Sequence, residues 1–514
     1  MFKFRTESNW FLNLSFVIVF IALCWVYRYN VTFFQPPQSV HTWRQTNSLS
    51  VTQMYYQYNL PFLQPEIHNQ LGDDGMSGKV AGEFPVIYYF VAKVWQLFGK
   101  AEWSFRLIHL LLIFTGIFLL FRMLIPITGN AARAGFASML VFTSPMFVFY
   151  GPNFLPDAPA LAFTFIAWFF LYRFIQRRKD LFLWLSAIFF FLAISLKITT
   201  ATGLIAIALW MIIERVLIKP DKRIFNFGFR QYTPFIISIL LVFCWYFYVY
   251  YFNNLHKGEF SHFGIWPVWD ISVSKMEQIL DVTRKIYLRE FFSPQLQFST
   301  VLIWLFMLLN IRKLPTFSAF MLVVMPLSFA AVLVLWFQVL DGHDYYFISQ
   351  MQVMIIIWAI FFNYLKNTRM LNHPVIYVLL TGVFLLLAND GNMRHNARYE
   401  GWMNHGFKQQ YEALTEIEPY FIKWNINPSD KVICLPDYSI NASLYYMNRK
   451  GYTDYGNDFT KVGDIKKRIN QGARYLVVLD TTLLKSDVFR QFTANMVGNY
   501  KNVRVFDLRG ISIR

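Results

Sequence analysis

The sequence predicts an all-α polytopic membrane bundle of about eleven spans, followed by a small C-terminal α/β domain. Three observations carry this. Of 514 residues, 56% are hydrophobic and only 15% charged, whereas a soluble domain carries about 25% charged residues. The apolar residues come in long runs dominated by Phe, Leu and Ile, not in stripes on one face, which is the pattern of segments solvated by lipid. Beyond residue 388 the runs stop, and a polar tail of domain size follows.

The runs lie near 10–28, 105–125, 132–151, 158–176, 182–196, 200–218, 233–252, 299–311, 316–337, 346–364 and 374–388. The basic N-terminus, Met1 to Asn9, leads into the first run without a small-residue cleavage site, so that run reads as a retained span. Some runs, notably 299–311, fall short of the ~20 residues a span needs, which leaves their boundaries soft. Orientation follows from the short connections. One set holds Arg177, Arg178 and Lys179, then Lys219, Lys222, Arg223 and Arg230, then Arg312 and Lys313, then Lys366 and Arg369. On the other side, 152–157 has no cation and 338–345 carries Asp341 and Asp344. The positive-inside rule then makes the N-terminus cytoplasmic and the C-terminal region extracytoplasmic. Loop sidedness also accounts for much of the net charge of +17, so no nucleic-acid partner is expected. Cys24, Cys244 and Cys434 show neither metal-ligand nor disulfide spacing, and no metal site is read from them.

The membrane domain therefore spans 1–388, with long outer loops at 29–104 and 253–298, and the extracytoplasmic domain spans 389–514. Within the first loop, 84–98 (FPVIYYFVAKVWQLF) is apolar on one side and reads as an interfacial helix. In the tail, Lys431 to Leu435, Tyr475 to Leu479 and Val503 to Leu508 read as strands and Asp487 to Met496 as a helix.

Polar residues capable of chemistry gather on the outer side. The first loop holds HTWRQTNS from His41 to Ser48, LGDDG from Leu71 to Gly75, and GEFP from Gly82 to Pro85. His41 supplies a group that is largely neutral near pH 7 and can take a proton. Arg44 is a cation at the membrane edge, or an anchor on lipid headgroups. Glu83 stands before a helix start, as a site carboxylate or a helix cap. Asp73 and Asp74 sit in a sequence that is also an ordinary turn. Asp157, between Pro156 and Pro159, is an N-cap or an intramembrane functional acid. Lys197 ends the fifth run, either snorkelling to the interface or meeting a phosphate. GHDYY brings His343, Asp344 and Tyr345 to the edge of another run.

These motifs, in order, resemble a known group. The stretch from HTWRQ through GEFPVIYYFVAKVWQLFGKAEWSFRL to PNFLPDAPALAFTF is similar to the lipid-dependent GT-C glycosyltransferases. It is closest in pattern to bacterial relatives of protein O-mannosyltransferases and of the lipid A aminoarabinose transferase. Glu83–Pro85 matches the family's E-x-P-P-like step, Leu97–Arg106 its LFG-x-x-E-x-x-x-R, and Pro156–Asp157 its later P-D. The resemblance covers roughly the first third of the chain. It implies an inverting glycosyltransferase of a bacterial inner (plasma) membrane that takes a hexosyl or pentosyl group from a polyprenyl-phosphate donor. The acceptor hydroxyl would belong to a glycan, lipid or protein. No cofactor is certain, though a divalent cation at the donor phosphate is compatible with it. On this reading His41, Glu83 and Asp157 are catalytic, and Arg44, Asp73, Lys197, His343, Asp344 and Tyr345 bind substrate.

The chain departs from the family at one point: no acid lies between Asn9 and Glu66, where a catalytic Asp usually follows the first span. The base is then His41, or a carboxylate of Asp73, Asp74 or Glu83, or the reaction needs little base assistance. Two other classes fit a polytopic chain: a lipid or polysaccharide transporter, and a non-catalytic envelope assembly protein. A transporter is expected to place ionisable groups at the midplane, in helices broken in paired halves. Here they sit at the outer ends.

Overall fold

The computed structural model describes residues 10–220, 223–225, 229–258, 264–368, 371, 373–456 and 459–511. Residues Met1 to Asn9, Lys222 and Arg369 lie outside them.

Every apolar run is helical. The membrane domain contains α1 (Trp10–Val26), α2 (Thr42–Tyr58), α3 (Val86–Phe98), α4 (Glu102–Thr128), α5 (Ala131–Met139) and α6 (Pro145–Tyr150). It continues through α7 (Asp157–Arg177), α8 (Leu181–Leu196), α9 (Thr202–Leu217), α10 (Phe229–His256) and α11 (Val273–Val282). It closes with α12 (Pro294–Leu309), α13 (Thr316–Leu335), α14 (Met351–Leu365) and α15 (Pro374–Glu400). Among the described residues, seven helical stretches are long and apolar enough to cross a bilayer, and a bent pair makes an eighth. The runs at 10–28, 132–151 and 182–196 form shorter apolar helices, so by length alone the expected eleven exceeds what qualifies.

Local sequence explains the breaks. Ser144 caps Pro145 at a helix start by accepting from the Phe147 amide, and this splits the 132–151 run into α5 and α6. Ser293 does the same before Pro294, where the preceding helical stretch Val273–Phe291 meets α12 at 88°. The expected interfacial helix is α3. It buries Ile87, Tyr88, Val91, Ala92 and Trp95 at helical spacing and exposes Phe90, Leu97 and Phe98. Aromatic stacking locks the first helix to the bundle: Phe16 on Phe121 at 4.5 Å and Phe20 on Phe142 at 4.6 Å between ring centroids. Gly116 on α4 lets α7 approach so closely that a Cβ there would lie 2.8 Å from the Ala162 backbone.

The C-terminal unit is a five-stranded sheet in the order β2-β1-β3-β5-β4. Its strands are β1 (Lys431–Leu435), β2 (Gly451–Thr453), β3 (Ala473–Val478), β4 (Met496–Tyr500) and β5 (Val503–Asp507). β1 pairs in parallel with β2 and β3, whereas β5 is antiparallel to β3 and to β4. Both faces are covered, Val432 and Cys434 packing in one cluster and Ile433 and Leu435 in the other. One expectation fails here. The helix expected over 487–496 is confined to Asp487–Arg490, and Met496 instead opens β4. Its partner register, Tyr500 opposite Val503, is set by a turn in which Lys501 has φ 49°.

The sheet is docked on the long loop between α1 and α4. Asn69 bridges to Gly451, the first residue of β2, and Asn441 bonds both the Asn69 amide (3.0 Å) and Asn47 Oδ1 (2.9 Å). The loop thus covers a strand edge that would otherwise be open.

Candidate functional site

His41 ends a loop opened by Pro36–Pro37, which cannot continue a helix. Ser39 and His41 both adopt left-handed backbone, φ 71° and 55°. Each such non-glycine residue costs about 1–2 kcal/mol, and the loop holds it by hydrogen bonds. The Asn404 side chain accepts from the Ser39 amide (2.8 Å), Ser39 Oγ donates to the Arg398 carbonyl (2.6 Å), and Gln45 Nε2 donates to the Gln38 carbonyl (2.8 Å). This fixes the imidazole with Nε2 3.3 Å from Asp344 Oδ1.

Asp344 is buried at the start of a 3-10 stretch, Asp344–Gln350, that leads into α14. Tyr150, the last residue of α6, donates its hydroxyl to Asp344 Oδ1 at 2.6 Å. Arg398 Nη2, from the last turns of α15, donates to Oδ2 at 3.1 Å. Arg398 also donates from Nε and Nη2 to Glu290 Oε2 at 3.1 and 2.9 Å. The His343 ring stacks on His41 with centroids 5.8 Å apart, and its Nδ1 lies 2.9 Å from the Val339 carbonyl. A carbonyl only accepts, so Nδ1 carries the proton. Burial, then the neighbouring His41, pushes His343 down to about 4, so it is neutral at pH 7.

Tyr345 joins these residues to two ion pairs. Its ring meets His41 edge-on at 5.0 Å, and the Lys197 ammonium lies 4.8 Å above it. Lys197 Nζ is also 3.6 Å from the Tyr346 ring centre and 2.9 Å from Asp157 Oδ1. Asp157 is 1% exposed, and its Oδ2 faces no hydrogen-bond donor among the described residues. Arg44, one turn into α2, pairs closely with Glu83 and lies within Coulombic range of Tyr345 and Asp157. The GEFP step is pinned beside Lys197 because the Phe84 amide donates to the Ser195 carbonyl at 2.9 Å. Neither Glu83 nor Asp157 makes the side-chain cap bond that its place near a helix start allowed.

His41, Arg44, Glu83, Asp157, Lys197, His343, Asp344 and Tyr345 therefore form one connected cluster. Asp73 is not in it. Its Oδ1 pairs with His256 Nδ1 at 2.9 Å and its Oδ2 accepts from Ser77 at 2.7 Å, while Asp74 pairs with Lys257. Asp73, Asp74 and Gly75, all with positive φ, make a turn between α10 and the C-terminal sheet, where Tyr452 donates to the Gly75 carbonyl at 3.0 Å. Asp73 thus stands in a turn, apart from the cluster that holds the other expected site residues. Arg106 also stands apart, buried with Nη1 on the Thr32 and Phe33 carbonyls at 2.9 and 2.8 Å. Sequence reasoning missed Tyr150, Glu290 and Arg398. The one signal for Arg398 was a charge-rich helical continuation, DGNMRHNARYE, directly after the last run. Among the described residues, no three His, Cys, Asp or Glu side chains stand together as a metal-ligand set.

Comparison with known proteins gives the same architecture. Residues 82–229 match the family described as dolichyl-phosphate-mannose-protein mannosyltransferase. An uncharacterized protein of Aquifex aeolicus is 24% identical over 177 residues, 34% of this chain and 34% of the relative. The match thus spans about a third of that curated relative. Among solved structures, ArnT from Cupriavidus metallidurans superposes with a TM-score of 0.56 at 11% identity, covering 96% of this chain and 98% of that one. A second ArnT structure carries bound undecaprenyl phosphate. The Archaeoglobus fulgidus oligosaccharyltransferase gives 0.55 at 13% identity, covering 93% and 70%. The arabinofuranosyltransferase AftD from Mycobacteria gives 0.55 at 12%, covering 99% and 40%. The fold is the GT-C fold of membrane glycosyltransferases, as the sequence resemblance implied.

Proposed function

We propose that this chain is a membrane glycosyltransferase moving a sugar from a polyprenyl-phosphate donor to an acceptor hydroxyl on the extracytoplasmic face. One observation carries the reading: residues from five separate segments meet at one end of the bundle, and they include two cations, two carboxylates and a histidine held against an acid. The bound undecaprenyl phosphate of an ArnT structure supports a lipid-phosphate donor for this fold.

In the proposed step the acceptor oxygen forms a bond to the anomeric carbon as the bond from that carbon to the phosphate oxygen breaks. The electron pair leaves with the lipid phosphate, and attack from the opposite face inverts the centre. Asp344 can only accept, so it holds the His41 proton on Nε2 and leaves the Nδ1 lone pair to take the acceptor proton. Lys197 and Arg44 balance the charge developing on the phosphate, with Asp157 and Glu83 fixing where those cations stand. A divalent cation at the phosphate is compatible with the step. The C-terminal domain, docked on the first loop, forms part of the acceptor's approach.

The test is consumption of labelled polyprenyl-phosphate sugars by the purified protein in liposomes, with extracted glycan, lipid and protein acceptors. Transfer is expected, and His41→Ala and Glu83→Gln are expected to abolish it while expression is kept. If no donor is consumed with any acceptor fraction, the reading fails. Reporter fusions at the two termini test the proposed inner-membrane topology, with the N-terminus cytoplasmic and the C-terminal domain outside.

A further inference from the structure

A guanidinium buried between two carboxylates carries a desolvation cost, and such buried charge clusters gather at functional sites. Arg398 is 2% exposed, Asp344 4% and Glu290 6%. They come from three separate elements: α15, the 3-10 stretch before α14, and the helical segment that follows α11. Arg394 extends the chain outward, with Nη1 3.2 Å from Glu290 Oε1 and Nε 3.1 Å from Asp390. The three carboxylates Asp344, Glu290 and Asp390 against the two guanidiniums leave a single negative charge, and Asp344 is the member of the chain that faces His41. The His343, Tyr345 and Tyr150 rings also lie against the imidazole, at 5.8, 5.0 and 6.1 Å between centroids. Arg44 and Lys197, the nearby cations, are already matched by Glu83 and Asp157.

The end of α15 also grips the backbone. The Arg398 carbonyl and the Asn404 side chain are the partners of Ser39, two residues before His41 in the strained loop. One helix end therefore sets both the orientation of the ring and the field it sees.

We infer that Arg398 and Glu290 are positioning residues that hold Asp344 and His41 in the geometry for proton acceptance, an inference that rests on His41 being the base. Arg398 keeps Asp344 from turning away from His41, and Glu290 keeps Arg398 from neutralising Asp344 completely. Neither touches substrate.

The chain makes an oppositely signed prediction for two variants of the full-length protein. Arg398→Gln removes the enclosed cation, so the residual negative charge holds the His41 proton more tightly. The acid limb of the kcat–pH profile then moves up by about one pH unit. Misplacement of the ring lowers kcat about 100-fold, with KM for the donor lipid little changed. Glu290→Gln removes an anion and moves the limb the other way by a smaller amount. Arg398→Lys, which restores charge without the two-pronged geometry, recovers the limb position but only part of kcat. A purely structural role would lower the yield of active protein without moving either limb. Should Arg398→Gln not fold, Glu290→Gln and Arg398→Lys carry the test.

His41 titration by NMR in the same variants reads the same opposed shifts without turnover, with His41→Ala providing the assignment. If the wild type consumes no donor yet the His41 shifts are opposed, glycosyl transfer fails and the positioning chain stands. If the wild type is active and both variants leave His41 and the limb unmoved, or move them in the same direction, the positioning chain is refuted.

Discussion

Replacing Lys197 separates what the buried charges do for the fold from what they do for the reaction. Asp157 is 1% exposed and its Oδ2 has no donor among the described residues, so Lys197→Met leaves a carboxylate with neither water nor its cation. Breaking such a pair by removing one partner costs about 3–5 kcal/mol. The contact of Lys197 with the Tyr346 ring at 3.6 Å adds about 0.5–2 kcal/mol. A loss of several kcal/mol is large enough to lower the thermal midpoint in detergent, read by tryptophan fluorescence. The double variant Lys197→Met/Asp157→Asn removes both charges and should recover most of that loss, because no unpaired ion remains. Its transfer activity should not recover. Loss of one preorganised charge partner at a reacting phosphate lowers kcat by about 10²–10³. Stability and turnover are therefore expected to part company in the double variant. Near wild-type turnover there would make the pair a structural element, and an unchanged midpoint in Lys197→Met would contradict its burial.

Three further outcomes follow from the geometry. Asp73→Asn should leave turnover within about twofold, because Asp73 serves the turn with His256 and Ser77; a loss of an order of magnitude in a donor-consumption assay would return it to the site. Gly116→Ala should destabilise by about 1–3 kcal/mol through overpacking against the Ala162 backbone, despite the roughly 1 kcal/mol that Ala gains in helix propensity. Thermal unfolding decides the sign. His68 is pushed down to about 3, first by burial and then by Lys100 and Lys450, from an ordinary 6.5. The folded state thus binds fewer protons than the unfolded chain between those values. His68 does not weaken the fold above pH 6.5, and stability falls as pH drops toward 3, by about 2 kcal/mol at pH 5. His68→Gln should flatten that part of the unfolding curve; an unchanged acid dependence would refute the assignment.

Much of this molecule was legible before its structure. A lipid-facing helix must satisfy its own backbone and cover itself with apolar side chains, so composition and run length alone locate it. That is why each apolar run became a helix even where its ends moved, as 299–311 did to Pro294–Leu309. β1 was readable because, after Lys431, its residues Val432 to Leu435 are all apolar and buried on both faces. β4 was not, because it is an edge strand with no consistently buried side, and its identity depends on pairing with β5. The place of Asp73 outside the cluster was not legible, because an acid in a glycine-bounded turn looks the same in sequence whether it meets a ligand or, as here, a neighbouring histidine.

The sequence by itself determined the bundle, the order of the motifs, and the residue types able to carry transfer chemistry, since each depends only on local composition and spacing. The tertiary structure decided which of those residues share one site. His41 and Asp344 are about three hundred residues apart in the chain and 3.3 Å apart in space. Charge pairing is decided by distance, and distance is set by how the helices pack. Arg398 and Glu290 look like surface charges in sequence, and only packing removes them from water and directs them at the site.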